Sequence, residues 1–134
     1  MIVGGYALAF HGKPRHTGDL DIWINISENN ASQLLKVIAD FGLKSLNFQK
    51  KDFLEEGMVS QIGYPPLRID ILNTIDGVTF EEARENMQLV EVEHDLIIKY
   101  IGLNDLIKNK TASGRKQDIA DLTTLSLIKN KLKK

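Results

Sequence analysis

The chain of 134 residues contains no cysteine. This absence excludes disulfides, thiolate zinc sites, iron–sulfur clusters and cysteine nucleophiles, and it is compatible with a reducing cytosol. Long apolar runs are also absent: the longest, Tyr6 to Phe10, is about five residues, whereas a membrane span needs roughly 20. No charged segment precedes an apolar one in the pattern of an export signal. We therefore predict a cytoplasmic protein that does not cross a membrane.

Aromatic residues and net charge are both low. Aromatics make up 7% of the chain, and the net charge is −1. A protein that binds nucleic acid along the backbone usually presents a basic surface with interleaved aromatic side chains, so this class is not favoured. The charge is nevertheless uneven: residues 108–134 carry eight Lys or Arg against two Asp, and residues 1–107 carry nine against sixteen acidic residues. This asymmetry indicates either a solvated Lys-rich terminal helix, or a basic anion-binding wall facing an acidic cation-binding site.

The remaining composition is that of an ordinary globular protein, with 43% hydrophobic and 26% charged residues. No repeat or linker divides the chain, so we expect residues 1–134 to form one domain. Apolar periodicity and turn residues predict an α+β fold, in which a mixed sheet is flanked by helices and the C-terminal part, about 102–130, is helical. Strands are predicted at 2–3, 19–25, 43–48, 58–62, 67–72 and 88–93, helices at 6–10, 30–41, 79–85, 103–111 and 115–130, and either type at 96–101.

Three aspartates lie inside alternating strand patterns, where this residue is uncommon. Asp19 and Asp21 are two residues apart, so their carboxylates lie on one face of their strand. Asp70 shares a strand face with Arg68. If the two strands are neighbours, the three carboxylates converge, and an oxygen-only set suits Mg²⁺ or Mn²⁺. The alternative is structural, with Asp70 as the salt-bridge partner of Arg68.

The spacing of these residues resembles a known signature. Val3-Gly4-Gly5, thirteen further residues, Asp19-Leu20-Asp21-Ile22 and then Ile69-Asp70-Ile71 resemble the nucleotidyltransferase superfamily. The stretch from Gly4 through Arg15 to Asp21, and that from Gly102 to Asp121, are similar to its short bacterial members. Those members include minimal nucleotidyltransferases and enzymes associated with toxin–antitoxin systems.

The resemblance implies transfer of a nucleoside monophosphate from an NTP to an acceptor. The acceptor, which could be RNA, a protein or a small molecule, would offer a hydroxyl or phosphate. Two Mg²⁺ ions, or Mn²⁺ in their place, would be held by the three carboxylates. Asp19 and Asp21 would bridge the metals at the triphosphate, and Asp70 would bind the metal at the acceptor hydroxyl and help to take its proton.

The same resemblance implies a nucleotide-binding set. Gly4 and Gly5 would let backbone N–H groups approach phosphate oxygens without a Cβ between them. Thr17, Lys110 and Arg115 would contribute to nucleotide binding, the two basic residues through phosphate. The alternative for this basic pair is that both side chains are solvated.

The sequence departs from the family at its start, where only three residues precede Gly4 and members typically carry a helix. We therefore expect exposed apolar surface near Ile2 and Val3 and a homo-oligomer, or else a monomer in which the C-terminal helices cover this surface. His11 and His16 are expected in turn and surface roles. The competing functional hypothesis is a non-catalytic module with the same fold, acting as a regulator or a toxin–antitoxin partner.

Overall fold

The computed structural model describes residues 1–14 and 17–133. These residues form an α+β fold with a mixed sheet, as predicted. Arg15 and His16, on which sequence predictions were made, lie outside the described residues. The elements are β1 (Ile2–Val3), α1 (Gly4–Phe10), β2 (Asp19–Trp23), α2 (Glu28–Asp40), a 3₁₀ turn (Lys44–Leu46), α3 (Lys51–Leu54), β3 (Val59–Tyr64), β4 (Leu67–Leu72), α4 (Phe80–Asn86), β5 (Gln88–Glu93), β6 (Leu96–Tyr100), α5 (Leu103–Ser113) and α6 (Lys116–Leu132).

The strand order of the sheet is β3-β4-β2-β1-β6-β5. Strands β2 and β4 are parallel neighbours, so the condition for convergence of the three aspartates is met. Asp21 is opposite Asp70, and Asp19 is opposite Arg68. Because residues opposite one another in a ladder point to the same side, these four side chains share one face of the sheet.

Two apolar clusters lie around the sheet, and the alternation along β2 and β4 assigns residues to each. Trp23 and Leu72, which share the face of the aspartates, belong to the cluster that also contains Leu106 of α5 and Leu125 of α6. Ile69 and Ile71 alternate with Asp70 and pack in the other cluster, beneath α2 and α3. Burying these apolar faces fixes the strand register, and the register in turn holds the carboxylates together.

The surface near β1 is not exposed as expected. Val3 is only 4% accessible, and Ile2 is partly buried against the same cluster as Leu106 and Leu125. The expectation of an open apolar face at β1 was therefore wrong, because helices α5 and α6 contribute side chains that cover it. The homo-oligomer was predicted from an exposed face at β1, so the structure no longer supports that prediction.

Two local predictions were also wrong. Residues 43–48 contain a 3₁₀ turn rather than a strand, and Asn47 adopts a left-handed backbone, with φ of 56°, that ends any extended path. Helix α2 is capped by Ser27, whose hydroxyl accepts a hydrogen bond from the backbone N–H of Asn30 at 3.0 Å. The helix therefore begins at Glu28, two residues before the start predicted from the sequence. The ambiguous segment 96–101 is largely the strand β6.

No helix within the described residues is long and apolar enough to span a bilayer.

Candidate functional site

A cavity of about 510 Å³ opens on the sheet face that carries the aspartates. The three carboxylates and Arg68 line one side of it, and Gly4 lies at the start of α1 beside them. The opposite wall comes from the junction of α5 and α6. It includes Asn109, Ser113 and Arg115. Acidic groups on the sheet thus face a basic group from the C-terminal helices across one cavity.

The Arg68 guanidinium bridges two of the three carboxylates. Its Nε and Nη2 donate to the two carboxylate oxygens of Asp70 at 2.8 and 3.0 Å, and Nη2 also donates to Asp19 Oδ2 at 2.9 Å. Hydrogen bonding to Asp70 raises the pKa of Arg68 above its usual value. The ion pair between Arg68 and Asp70, which the sequence offered as the structural alternative, is therefore present.

Asp21 differs from Asp19 and Asp70 in its contacts. No hydrogen bond or ion pair to its carboxylate is found among the described residues, although it lies between Asp19 along the strand and Asp70 across it. Partial burial and repulsion from Asp70 and Asp19 raise its pKa from 3.8 to about 6, and the charges of Arg68 and Lys110 offset only part of this. The site therefore contains a carboxylate whose negative charge is poorly balanced.

The glycine turn is required by close packing against this acidic cluster. Gly4 has φ of +67°, and a Cβ there would overlap the Asp21 carboxylate. A Cβ on Gly5 would lie 2.8 Å from the Thr17 hydroxyl, which itself donates to the Asp19 carbonyl at 3.3 Å. Substitution of either glycine would displace a residue of the candidate site.

The basic wall is anchored by a buried carboxylate, Asp118, which is 1% accessible. It accepts hydrogen bonds from Arg115 Nε at 2.8 Å, from Ser113 Oγ at 2.6 Å and from Lys110 Nζ at 3.0 Å. Although burial opposes ionisation, these donors hold the pKa of Asp118 well below its usual range. Asp118 thus fixes Ser113 and Arg115 where they line the cavity.

Lys110 lies behind this wall rather than in the cavity lining. The residue is 4% accessible, and its ammonium donates to Asp118 and, at 3.1 Å, to Asp121. Asp121 also accepts from Lys13 at 3.0 Å, which joins the loop after α1 to α6. The positive charge of Lys110 lowers the pKa of Asp21 through space, without a direct contact.

The structure thus brings most of the predicted site residues together. Asp19, Asp21, Asp70, Gly4 and Arg115 line one cavity, whereas Gly5 and Thr17 pack directly behind it. Sequence reasoning did not include Ser113, Asn109 or Asp76, which also line the cavity. A polar residue just before the last helix is a weak signal, because such residues commonly serve only as caps.

The carboxylate oxygens of the site are the atoms that would bind a divalent cation. Among the described residues, no three Asp, Glu or His side chains are arranged as a ready metal site. Arg68 instead holds two of the three carboxylates. The donor chemistry is nevertheless that of Mg²⁺ or Mn²⁺, and the unbalanced Asp21 leaves negative charge for a cation to neutralise. A divalent cation could bind all three carboxylates only if Arg68 released Asp19 and Asp70.

No protein-family model matches the chain, and no curated protein matches it either.

Proposed function

We propose that the protein is a Mg²⁺-dependent nucleotidyltransferase that transfers a nucleoside monophosphate from an NTP to an acceptor. The observation that supports this most is the pairing of Asp21 with Asp70 across β2 and β4, which gathers three carboxylates on one face of the sheet. Arg115 lines the same cavity and supplies a cation from the C-terminal helices. A metal–triphosphate complex needs carboxylates to hold its metal ions and cationic side chains to bind its phosphate oxygens.

In this proposal each residue has a task set by its position. Asp19, Asp21 and Asp70 would hold the cations, which when bound supply charge neutralisation of the triphosphate and a lowered pKa of the acceptor hydroxyl. Arg115 would bind phosphate oxygens through the guanidinium N–H groups that Asp118 does not take. The acceptor oxygen forms a bond to the α-phosphorus, pyrophosphate leaves, and Asp70 helps to take the acceptor proton.

Arg68 would serve as an internal counter-ion in the absence of metal. Its guanidinium balances Asp19 and Asp70 at 2.8 to 3.0 Å, and its side chain is 23% accessible. A partly accessible arginine can move away from a carboxylate when a divalent ion replaces it, since the exchange preserves charge balance. Metal binding is then expected to compete with the Arg68 contacts.

The test is calorimetric titration with each Mg·NTP, together with a transfer assay that uses α-labelled NTP. The acceptors in that assay are the RNA, protein and small-molecule fractions of a cell extract. The variants are Asp19→Asn, Asp70→Asn and, as a matched control, Asp76→Asn, which removes a charge from the same cavity without touching the cluster. Melting temperatures control for folding.

We expect Asp70→Asn to keep Mg·NTP binding while turnover falls by orders of magnitude. Asp19→Asn should weaken Mg·NTP binding itself, because this carboxylate serves the triphosphate-bound metal. Asp76→Asn should change neither. The proposal fails if the wild-type protein binds no Mg·NTP at millimolar concentration, or if Asp70→Asn only lowers the melting temperature.

A second candidate is a non-catalytic module that keeps the cavity but holds no metal, acting as a regulator or toxin–antitoxin partner. The Arg68 contacts favour it, because an internal cation already neutralises two carboxylates. Under this hypothesis Arg68→Met would destabilise the protein, and Mg²⁺ would not restore the loss. Under the nucleotidyltransferase hypothesis the same variant gains affinity for Mg²⁺ because its competitor is gone.

A further inference from the structure

The edge strand β3 presents one open face beside the carboxylate cavity. In the antiparallel pair of β3 and β4, Gln61 is opposite Asp70. Gly63 is opposite Arg68 in the same pair. Both residues therefore lie on the face of the sheet that carries the acidic cluster. Val59, two residues before Gln61, shares this face and lines the cavity, and we call Val59, Gln61 and Gly63 the β3 strip.

The β3 strip is exposed and carries no charge. All three of its residues are exposed, and Val59 is 49% accessible. The alternate residues Ser60 and Ile62 point to the other face, where Ser60 is buried and Ile62 packs beneath α2 and α3. The Gln61 amide forms no hydrogen bond among the described residues. The strip thus offers a branched apolar side chain, a free amide and a glycine backbone.

The geometry of phosphoryl transfer makes this strip the acceptor side of the cavity. The attacking and leaving oxygens lie roughly in line on opposite sides of the phosphorus. Under the proposed function, pyrophosphate leaves on the side of Gly4 and Arg115. Gly4 follows β1, and the charge of Asp21 on β2 acts on Arg115. Because the strands are ordered β1-β2-β4-β3, the attacking hydroxyl approaches from the β3 side of Asp70.

We propose that the β3 strip binds the part of the acceptor that carries the reacting hydroxyl, and that this part is uncharged with an apolar side. The apolar side packs on Val59, a second polar group hydrogen-bonds the Gln61 amide, and the hydroxyl lies at Asp70. The hydroxyl oxygen bonds to the α-phosphorus, pyrophosphate leaves, and Asp70 accepts the proton. A charged group on the strip would lose water without gaining a counter-charge there. This inference rests on the proposed function and adds the chemistry of the acceptor to it.

The test uses three ring alcohols that differ in charge. The neutral probe is trans-1,4-cyclohexanediol, the cation is trans-4-aminocyclohexanol and the anion is trans-4-hydroxycyclohexanecarboxylate. Each is titrated into protein saturated with Mg²⁺ and the α,β-methylene analogue of the NTP that binds in calorimetry, because this analogue cannot transfer its nucleotidyl group. Methyl cross-peaks of Val59 and Leu72 in a ¹H–¹³C spectrum follow binding. We expect the diol to move them saturably and to bind several-fold more tightly than either charged probe.

Substitutions on the strip should change this preference. Gln61→Lys should shift it toward the anionic probe and Gln61→Glu toward the cationic one; Gln61 is exposed, so the fold is kept. The control Gln88→Lys, exposed on β5 at the opposite edge of the sheet, should leave the preference unchanged. Val59→Ser should weaken diol binding several-fold, whereas Val92→Ser, at a β5 residue that is 50% accessible, should not.

Each other result counts against the inference. Unmoved Val59 and Leu72 signals at saturating probe overturn the assignment of the strip. Equal binding of the three probes, or a preference of the wild type for a charged one, overturns the uncharged acceptor. Equal effects of Gln61→Lys and Gln88→Lys would show that only overall charge matters. Absence of Mg·NTP binding in calorimetry overturns this inference and the proposed function together, whereas Mg·NTP binding followed by any of these results overturns this inference alone.

Discussion

Replacement of Asp21 by Asn should stabilise the metal-free protein at neutral pH. Asp21 is ionised at pH 7 in a place where partial burial removes water from its carboxylate and where Asp70 and Asp19 repel it. Its pKa is about 6 in the folded protein and 3.8 ordinarily, so the folded state holds a proton more firmly than the unfolded state. Between pH 3.8 and about pH 6, the free energy of unfolding falls as the pH rises. Above about pH 6, the whole destabilisation by the charged Asp21 is present.

The size of this effect follows from the pKa shift. About two pKa units at ~1.4 kcal/mol each would give about 3 kcal/mol, but Asp21 is only partly buried, and solvent screening reduces the expected gain to about 1 kcal/mol. Asn has nearly the same shape as Asp, so packing against Gly4 changes little. The gain should be small at pH 3.5, which lies below the ordinary pKa of 3.8, because Asp21 is then mostly protonated in both states.

Urea unfolding of wild type and Asp21→Asn at pH 3.5 and pH 7.5 measures this difference. Asp76→Asn is the control, because its carboxylate lies at the same cavity without being part of the cluster. Adding Mg²⁺ at pH 7.5 should stabilise the wild type more than Asp21→Asn. Equal stabilisation at both pH values would show that the gain comes from packing. A loss of stability at pH 7.5 would refute the repulsion argument altogether.

Three further changes test other parts of the structure. Arg115→Ala should weaken Mg·NTP binding several-fold in calorimetry, because it removes a cation from the cavity wall. The control Lys131→Ala, in the last turn of α6, should leave binding unchanged. Equal effects of the two substitutions would show that only the overall positive charge of the C-terminal segment matters. Lys110→Met should lower the free energy of unfolding by about 3 kcal/mol, because it leaves two buried carboxylates short of a partner. Lys108→Met, on the exposed face of the same helix, should cost less than about 0.5 kcal/mol in the same denaturation experiment. Ser27→Ala should cost about 1 kcal/mol in thermal unfolding through loss of the α2 cap, and no change would contradict the capping role.

The carboxylate cluster could be predicted because it depends on a short-range rule. Residues two apart share a strand face, and apolar neighbours such as Ile69 and Ile71 identify which face is buried. The adjacency of β2 and β4 was a condition of that prediction rather than a consequence of the sequence. Their pairing is long-range, and the structure was needed to establish it.

The basic side of the cavity was harder to predict for a physical reason. Lys110 and Arg115 are similar in charge and close in sequence, yet one is buried between Asp118 and Asp121 while the other lines the cavity. That difference arises from how α5 packs on α6, which sequence periodicity does not determine. The segment 43–48 shows the same limit, since one left-handed residue, Asn47, replaces an expected strand by a turn.

The parallel pairing of β2 and β4 has a consequence for how the chain folds. Asp19 and Arg68 are 49 residues apart, so the acidic cluster does not exist until a long loop has closed. Repulsion between Asp21 and Asp70 arises at the moment of this pairing. If the two strands pair in the folding transition state, Asp21→Asn accelerates folding; if they pair afterwards, it slows unfolding instead. Stopped-flow refolding of this one variant would therefore time the step at which the chain first assembles its candidate site.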